Sequence, residues 1–262
     1  MSKIILKTSK DIEEMAEGGK IAAEILNEIV DHIIPGITTA TLDSKVRELT
    51  EKNGVRAAFL GFEGFPASIC TSVNDEVVHG IPSNSVILNS GDLISLDLGV
   101  IYKGWILDLA TTVPVLNPGE YDNWAKSHPE ELRLLSATKD ALNSGIKQAV
   151  AGNNLGHISS AIQKVLEKNE LGIVRELVGH GVGRGLHEEP KIPNYGSQND
   201  GPKLEVGMVL AIEPMSSLGD WRIKTSKNGF TYRTADGSLS AHFEHTVAIT
   251  ANGPRILTES AK

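Results

Sequence analysis

From Ile12 to Ile33 the apolar residues Ile12, Met15, Ala16, Ala22, Ile25, Ile29 and Ile33 recur at helical spacing, which predicts an amphipathic helix. Thr8–Asp11 resembles a capping box at its start, and Pro35-Gly36 stops it. Leu42, Val46 and Leu49 predict a second helix that ends at Asn53-Gly54 with a left-handed cap. Ala58–Val78, rich in Gly, Phe and Ser, reads as strand and loop, closed by His79-Gly80-Ile81-Pro82. Between Gly91 and Val113 the apolar period drops to two. Runs around Asp97 and Asp108 there flank Tyr102-Lys103-Gly104, and the stretch predicts a β-hairpin. A turn centred between Tyr102 and Lys103 sets Asp97 directly opposite Asp108, with Cβ atoms roughly 4.5–5.5 Å apart.

The order then partly repeats. Pro129 opens a long helix with Leu132, Leu135, Ala141, Ile146 and Val150 on its apolar stripe, ending in Ala151-Gly152. Ile158–Leu166 begins a shorter helix, a Gly-rich segment with His180 follows, and strands are expected around Val209–Pro214 and Phe243–Ile249. Each half reads helix, helix, His-bearing segment, then strands bearing two carboxylates, which predicts an internal duplication. The expectation is one domain of two related halves, connected through Asn117–Ser127.

Composition narrows the partners. With 262 residues the chain has ample length for a real core, and its net charge of −8 argues against nucleic acid as the main partner. A single cysteine, Cys70, excludes an internal disulfide framework and suits a reducing compartment. Charges interrupt Lys3–Lys10 before any signal-like apolar stretch forms, and no apolar run is long enough to cross a bilayer. A soluble cytoplasmic protein without a membrane partner is expected, and nothing demands more than a monomer.

Candidate chemistry lies on four stretches. Two carboxylates facing one another at about 5 Å repel by roughly 3 kcal/mol at an effective dielectric near 20. Leu96, Leu98, Leu107 and Leu109 around Asp97 and Asp108 sequester the pair, so either one acid keeps a proton or a cation sits between them. In Val178–Pro190 the alternating Gly179, Gly181, Gly183 and Gly185 leave one face of an extended segment bare for close approach of a ligand, with His180 and His187 beside it. Glu213 ends the short apolar strand Val-Leu-Ala-Ile, where an ionised carboxylate is too costly to bury alone. Glu244 lies in Ser240–Val247, where His242 shares its face and His245 points the other way. Singly, each of these is as well read as a satisfied polar group in a sheet. Were Asp97, Asp108, His180, Glu213 and Glu244 to meet in one cleft, protons alone could not relieve the repulsion. Two divalent cations could, and a set of hard oxygens with one imidazole suits Mn(II), Fe(II), Co(II) or Zn(II).

His79–Pro82 (HGIP), Asp97–Asp108 (DLGVIYKGWILD), GHGVGRGLHEEP from Gly179, AIEPM from Ala211 and FEHTV from Phe243 together resemble the type I methionine aminopeptidases. The likeness spans essentially the whole chain with the motifs in order. It implies the α/β pita-bread fold, two pseudo-symmetric halves with an antiparallel sheet core and helices outside. It implies Asp97, Asp108, His180, Glu213 and Glu244 as ligands of two divalent metal ions, with Asp108 and Glu244 bridging. The reaction implied is removal of N-terminal methionine from nascent proteins with a small second residue, by attack of a metal-bridging hydroxide on the first peptide bond. His79 would contact the substrate's amide nitrogen or amino end, and His187 would steady the carbonyl oxygen. Glu213 would shuttle the proton. Phe59, Phe62, Phe65, Cys70 and Trp221 would line the methionine pocket, with Leu186 nearby.

The substrates so implied place the chain near the ribosome. Its own start, Met1-Ser2, is a plausible self-substrate. Phe62, Phe65 and Leu186 depart from the usual residues of the family, tyrosines and an aromatic, and Gly219–Ser238 looks longer than in compact members. An X-Pro peptidase relative is the enzymatic rival, although those carry a sizeable N-terminal domain. A non-catalytic pita-bread binding protein is the rival of another class, but such proteins lose metal ligands that are all present here. A glycosidase dyad is disfavoured by the Gly-rich histidine segment and by the scarcity of aromatics for stacking on sugars.

Overall fold

The computed structural model describes residues 3–260; Met1-Ser2, the expected self-substrate, lies outside them. Five α-helices are present among the described residues: α1 (Ser9–Asp31), α2 (Thr39–Lys52), α3 (Tyr121–Ser127), α4 (Pro129–Gln148) and α5 (Gly156–Lys168). The capping box of α1 forms as expected. Thr8 Oγ1 accepts from Asp11 N at 3.2 Å, and the Asp11 carboxylate accepts from Thr8 N at 2.8 Å. Helix α2 ends at Asn53, and Gly54 takes φ +66° beyond it.

The expected connection Asn117–Ser127 contains α3, whose Trp124 is buried and stacks on His128. Helix α4 starts at Pro129 but stops at Gln148, short of the expected end. Gly152 N donates to Leu204 O and draws the chain away, leaving Val150 exposed. The buried stripe of α4 runs through Leu134, Leu135, Ala141, Leu142 and Ile146, with Leu132 only partly covered.

The strands are β1 (Arg56–Ala57), β2 (Cys70–Val73), β3 (Glu76–Val78), β4 (Leu93–Tyr102), β5 (Trp105–Pro114), β6 (Gly172–Ile173), β7 (Gly179–Gly181) and β8 (Glu188–Ile192). They continue with β9 (Val209–Ile212), β10 (Met215–Ser217), β11 (Ile223–Thr225), β12 (Tyr232–Thr234), β13 (Ser240–His242), β14 (Glu244–Thr250) and β15 (Gly253–Ile256). One antiparallel sheet runs β1-β4-β5-β14-β9-β7-β8, with β2 also paired to β4 and β15 to β14. Strands distant in sequence, β5 and β14, join its two sides.

Two apolar clusters cover the sheet. Helices α1 and α2 bury Met15, Ile25, Ile29, Leu42 and Leu49 with Leu96, Leu98, Leu107 and Leu109. Helices α4 and α5 bury Leu134, Leu142, Ile158 and Ile162 with Leu210, Ile212, Val247 and Ile249. Each such side chain contributes roughly 1.5–3 kcal/mol of burial, so the helices pin the sheet firmly. The alternation along β4 and β5 then turns Asp97 and Asp108 to the other face.

The hairpin register differs from the expected one. Lys103 (φ +48°) and Gly104 (φ +80°) form the turn, and Tyr102 pairs with Trp105. A two-residue turn with both central residues at positive φ matches the strands' twist, and glycine takes the second position without steric cost. Asp97 therefore pairs with Ala110 and Asp108 with Gly99, so the two acids are diagonal neighbours rather than opposite. A shift of two residues preserves the face, so they still meet.

Candidate metal centre

Strand pairing assembles the acids. Ala110 on β5 pairs with Asp97 on one side and Glu244 on the other, so these two carboxyls share a row across three strands. Asp108 lies two residues along from Ala110, on the same face. On the far side, His180 of β7 pairs with Ala211 of β9, and Glu213 follows β9 one step beyond the His245–Ile212 pair. Residues 97, 108, 180, 213 and 244, scattered over nearly 150 positions, thus reach one spot.

The distances are short. Ligand atoms of Asp108, His180 and Glu244 lie within 4.8 Å of one another. Asp97 and Asp108 stand close enough for each to act on the other's charge, and His180 Nε2 stands 3.5 Å from Glu213 Oε1. His180 Nδ1 lies 2.9 Å from Gly181 O; a carbonyl only accepts, so Nδ1 carries the proton and Nε2 turns a lone pair to the cluster.

Burial raises every carboxyl here. Asp108 is pushed up to about 7 by burial and then by Glu213, and burial also brings Glu213 to about 7, against the pull of His180. Asp97 and Glu244 are raised well above the usual carboxylate range, chiefly by burial and then by neighbouring acids. Burial likewise lowers His180, and Cys70, paired with Asp97 on β2, has its thiol raised.

Whether a metal fits can be judged from the oxygens. Asp97 Oδ1, Asp108 Oδ1 and Glu244 Oε1 are buried and without a hydrogen-bond partner. An orphaned buried acceptor costs about 1–3 kcal/mol, more when charged. Three in one place, facing an imidazole lone pair, are the donor set of a hard or borderline divalent cation. The residues fit.

A cavity of about 630 Å³ opens from this cluster and is lined by Phe59, Phe62, Phe65, Cys70, Leu186 and Phe230, among others. His79 and His187 also line it. His187 stands edge-on to His180 (ring centroids 4.6 Å apart) and to Phe62 (5.4 Å). His79 adopts φ +58°, a strained conformation for a non-glycine residue. Its carbonyl accepts from Thr231 Oγ1 at 3.0 Å and its ring lies 5.8 Å from Tyr232. Burial lowers its pKa to about 4, and burial lowers His187 as well.

Trp221 is not among the residues lining this cavity; the guanidinium groups of Arg175 and Arg222 each stand 4.9 Å from its ring. Phe230, edge-on to Phe65, does line it, because 219–238 folds back as the β11–β12 hairpin on β3 and brings Phe230, two residues before β12, to the cavity. Along the Gly-rich segment Gly179 lines the cavity, but part of the bare side is taken up by the protein itself. A side chain at Gly179 would begin 2.5 Å from Ala211 O, and one at Gly181 2.2 Å from Glu189 O, so neighbouring strands occupy that space.

One residue had a readable signal but no assigned role. The expected single strand breaks at Phe243, so His242 ends β13 of a separate three-stranded sheet while Glu244 opens β14, yet His242 Nε2 lies 3.4 Å from Glu213 Oε2. His245 points away, its Nδ1 3.0 Å from Thr258 Oγ1.

A curled antiparallel sheet carrying a buried cluster of acids and imidazole at the floor of a cleft defines a metallopeptidase, and residues 13–251 match the model of metallopeptidase family M24; the chain belongs to that family. It is 47% identical to a methionine aminopeptidase of Clostridium acetobutylicum, over 97% of this chain and 98% of that one. Against methionine aminopeptidase 1 of Bacillus subtilis it is 46% identical, over 97% and 99%. The crystal structure of a methionine aminopeptidase from Thermotoga maritima superposes with a TM-score of 0.92 at 42% identity, over 98% and 100%. Within M24 the chain therefore stands with the methionine aminopeptidases of compact, type I form, and its fold is the pita-bread fold. A prolidase from Pyrococcus furiosus, at 24% identity and a TM-score of 0.73, shares the fold alone.

Proposed function

We propose that the chain removes the N-terminal methionine from nascent polypeptides with a small second residue, using Asp97, Asp108, His180, Glu213 and Glu244 to hold two divalent metal ions. The observation that carries this is the trio of buried, unpartnered carboxylate oxygens beside the lone pair of His180. Bound there, the ions supply Lewis acidity and make water acidic enough to react near neutral pH. Mn(II), Fe(II), Co(II) and Zn(II) all suit the donors, and availability selects among them.

The chain's own residues do the rest. Glu213, beside the imidazole of His180 at the edge of the cluster, takes a proton from water and passes it to the leaving amine. His79 and His187 stay neutral at pH 7, since burial lowers both, and each offers an N–H without adding charge to the cluster. His187 steadies the carbonyl oxygen as negative charge grows on it, and His79 orients the substrate's amide nitrogen or amino end. Phe59, Phe62, Phe65 and Phe230, with Cys70 and Leu186, receive the methionine side chain, because aromatic edges suit an unbranched thioether.

We further assign the two halves to one catalytic domain that divides near 117–127, and the working form to a monomer. Among the described residues no helix is long and apolar enough to cross a membrane. Substrates of this kind place the work in the cytoplasm beside the ribosome. The intact ligand set speaks against a non-catalytic role. The test is methionine release from Met-Ala-Ser by chelator-stripped protein, with and without Mn(II) or Co(II). Release only with metal, and far slower cleavage of Leu-Ala-Ser, are expected. No release in any metal, or equal rates on the two peptides, would overturn the reading.

A further inference from the structure

The cavity continues past the metal cluster toward solvent. There the N-terminal segment walls it with Lys3 and Ile5, beside Glu63, Glu176, Leu177 and Lys191. Ile5 is 56% exposed, an apolar side chain left uncovered at the mouth of the site. The segment that carries it is tied down. Lys7 N donates to Gly207 O at 2.7 Å, and the buried Lys7 ammonium reaches Glu188 Oε2 at 2.6 Å. Glu188 in turn accepts from Gly185 N at 3.0 Å, so the strap is fastened to the loop that bears Leu186 and His187.

A volume of about 630 Å³ falls in the range that encloses ligands much larger than one side chain. A polypeptide that enters by its N-terminus must leave its later residues in this mouth. The rim carries Lys3 and Lys191 against Glu63, Glu176 and Glu189, a mixture of both signs at an exposed edge where solvent and salt screen charge. What remains for discrimination there is apolar contact with Ile5 and the half-buried Leu177. We infer that the strap 3–8 forms one wall of the substrate channel, and that Ile5 sets a preference for apolar side chains in the substrate residues following the second. This rests on the aminopeptidase reading above.

The test measures kcat/KM of the metal-loaded full chain on Met-Ala-Leu-Leu and Met-Ala-Ser-Ser, for the wild type, Ile5→Ser and Ile5→Leu. The wild type is expected to favour the leucine peptide about five-fold, equivalent to about 1 kcal/mol. Ile5→Ser brings that ratio near one, chiefly through KM, while Ile5→Leu keeps it, which separates a lost contact from a lost strap. A wild-type ratio near one, or a ratio that Ile5→Ser leaves unchanged, overturns the inference while the aminopeptidase assignment stands. A wild type that cleaves neither peptide overturns both.

Discussion

Replacing Asp108 by asparagine should stabilise the metal-free protein at pH 8 by about 4 kcal/mol. Burial, then Glu213, pushes this carboxyl up to about 7, whereas in the unfolded chain it returns to about 3.8. A carboxyl raised by folding opposes folding once it ionises. Below about pH 4 both states hold the proton and the penalty is absent; above about pH 7 it is complete. At about 1.36 kcal/mol per pH unit, the three-unit gap gives about 4 kcal/mol at pH 8 and only about 1–2 kcal/mol at pH 5. The lowered histidines His79, His180 and His242 pull the other way with pH but are common to both proteins. Asp97 and Glu244, which Asp108 helps to raise, are relieved in the variant and add to the gain. Urea unfolding with a chelator present, followed by tryptophan fluorescence at both pH values, measures it. With Mn(II) in excess the order should reverse, because the wild type gains ligand-linked stability that the variant forfeits with its carboxylate. A metal-free variant no more stable than wild type at pH 8 would refute the claim that crowded, buried negative charge defines this site.

Alanine at His79 or His187 should lower kcat by about 100-fold while KM moves little, as expected for groups acting on the transition state; a rise in KM alone would assign them to packing. Phe230→Ala should raise KM for Met-Ala-Ser about tenfold through lost contact with the thioether, whereas Trp221→Ala should leave it unchanged, and the opposite pattern in steady-state kinetics would return Trp221 to the pocket. Lys7→Met removes the ammonium partner of the half-buried Glu188 carboxylate, which keeps its Gly185 N bond, and should cost about 1–2 kcal/mol in a denaturant titration; a loss within error would mean that water already solvates the pair.

Much of the site was legible without coordinates, for identifiable reasons. Asp97, Asp108, Glu213 and Glu244 each stand in or at the end of a short apolar strand, an expensive setting for a charge, and so each marks itself. The capping box at Thr8, the turn at Gly54 and the start of α4 at Pro129 rest on interactions within a few residues, which sequence order contains. The hairpin itself was equally visible, but not its register, since Lys103 and Gly104 rather than Tyr102 and Lys103 take the positive φ angles.

What the amino-acid order determined alone is therefore local: which stretches become helix or strand, which face of each is apolar, and which carboxylates have been set among leucines. Tertiary structure decided everything that depends on pairing between distant strands. It brought β5 beside β14, and so Asp97 and Glu244 into one row around Ala110. It folded 219–238 back on β3, so that Phe230 rather than Trp221 faces the substrate cavity. It also filled the bare side of Gly179 and Gly181 with neighbouring backbone. The strand pairings among these contacts join residues more than a hundred positions apart, and their free energy belongs to the packed sheet as a whole rather than to any window of the chain.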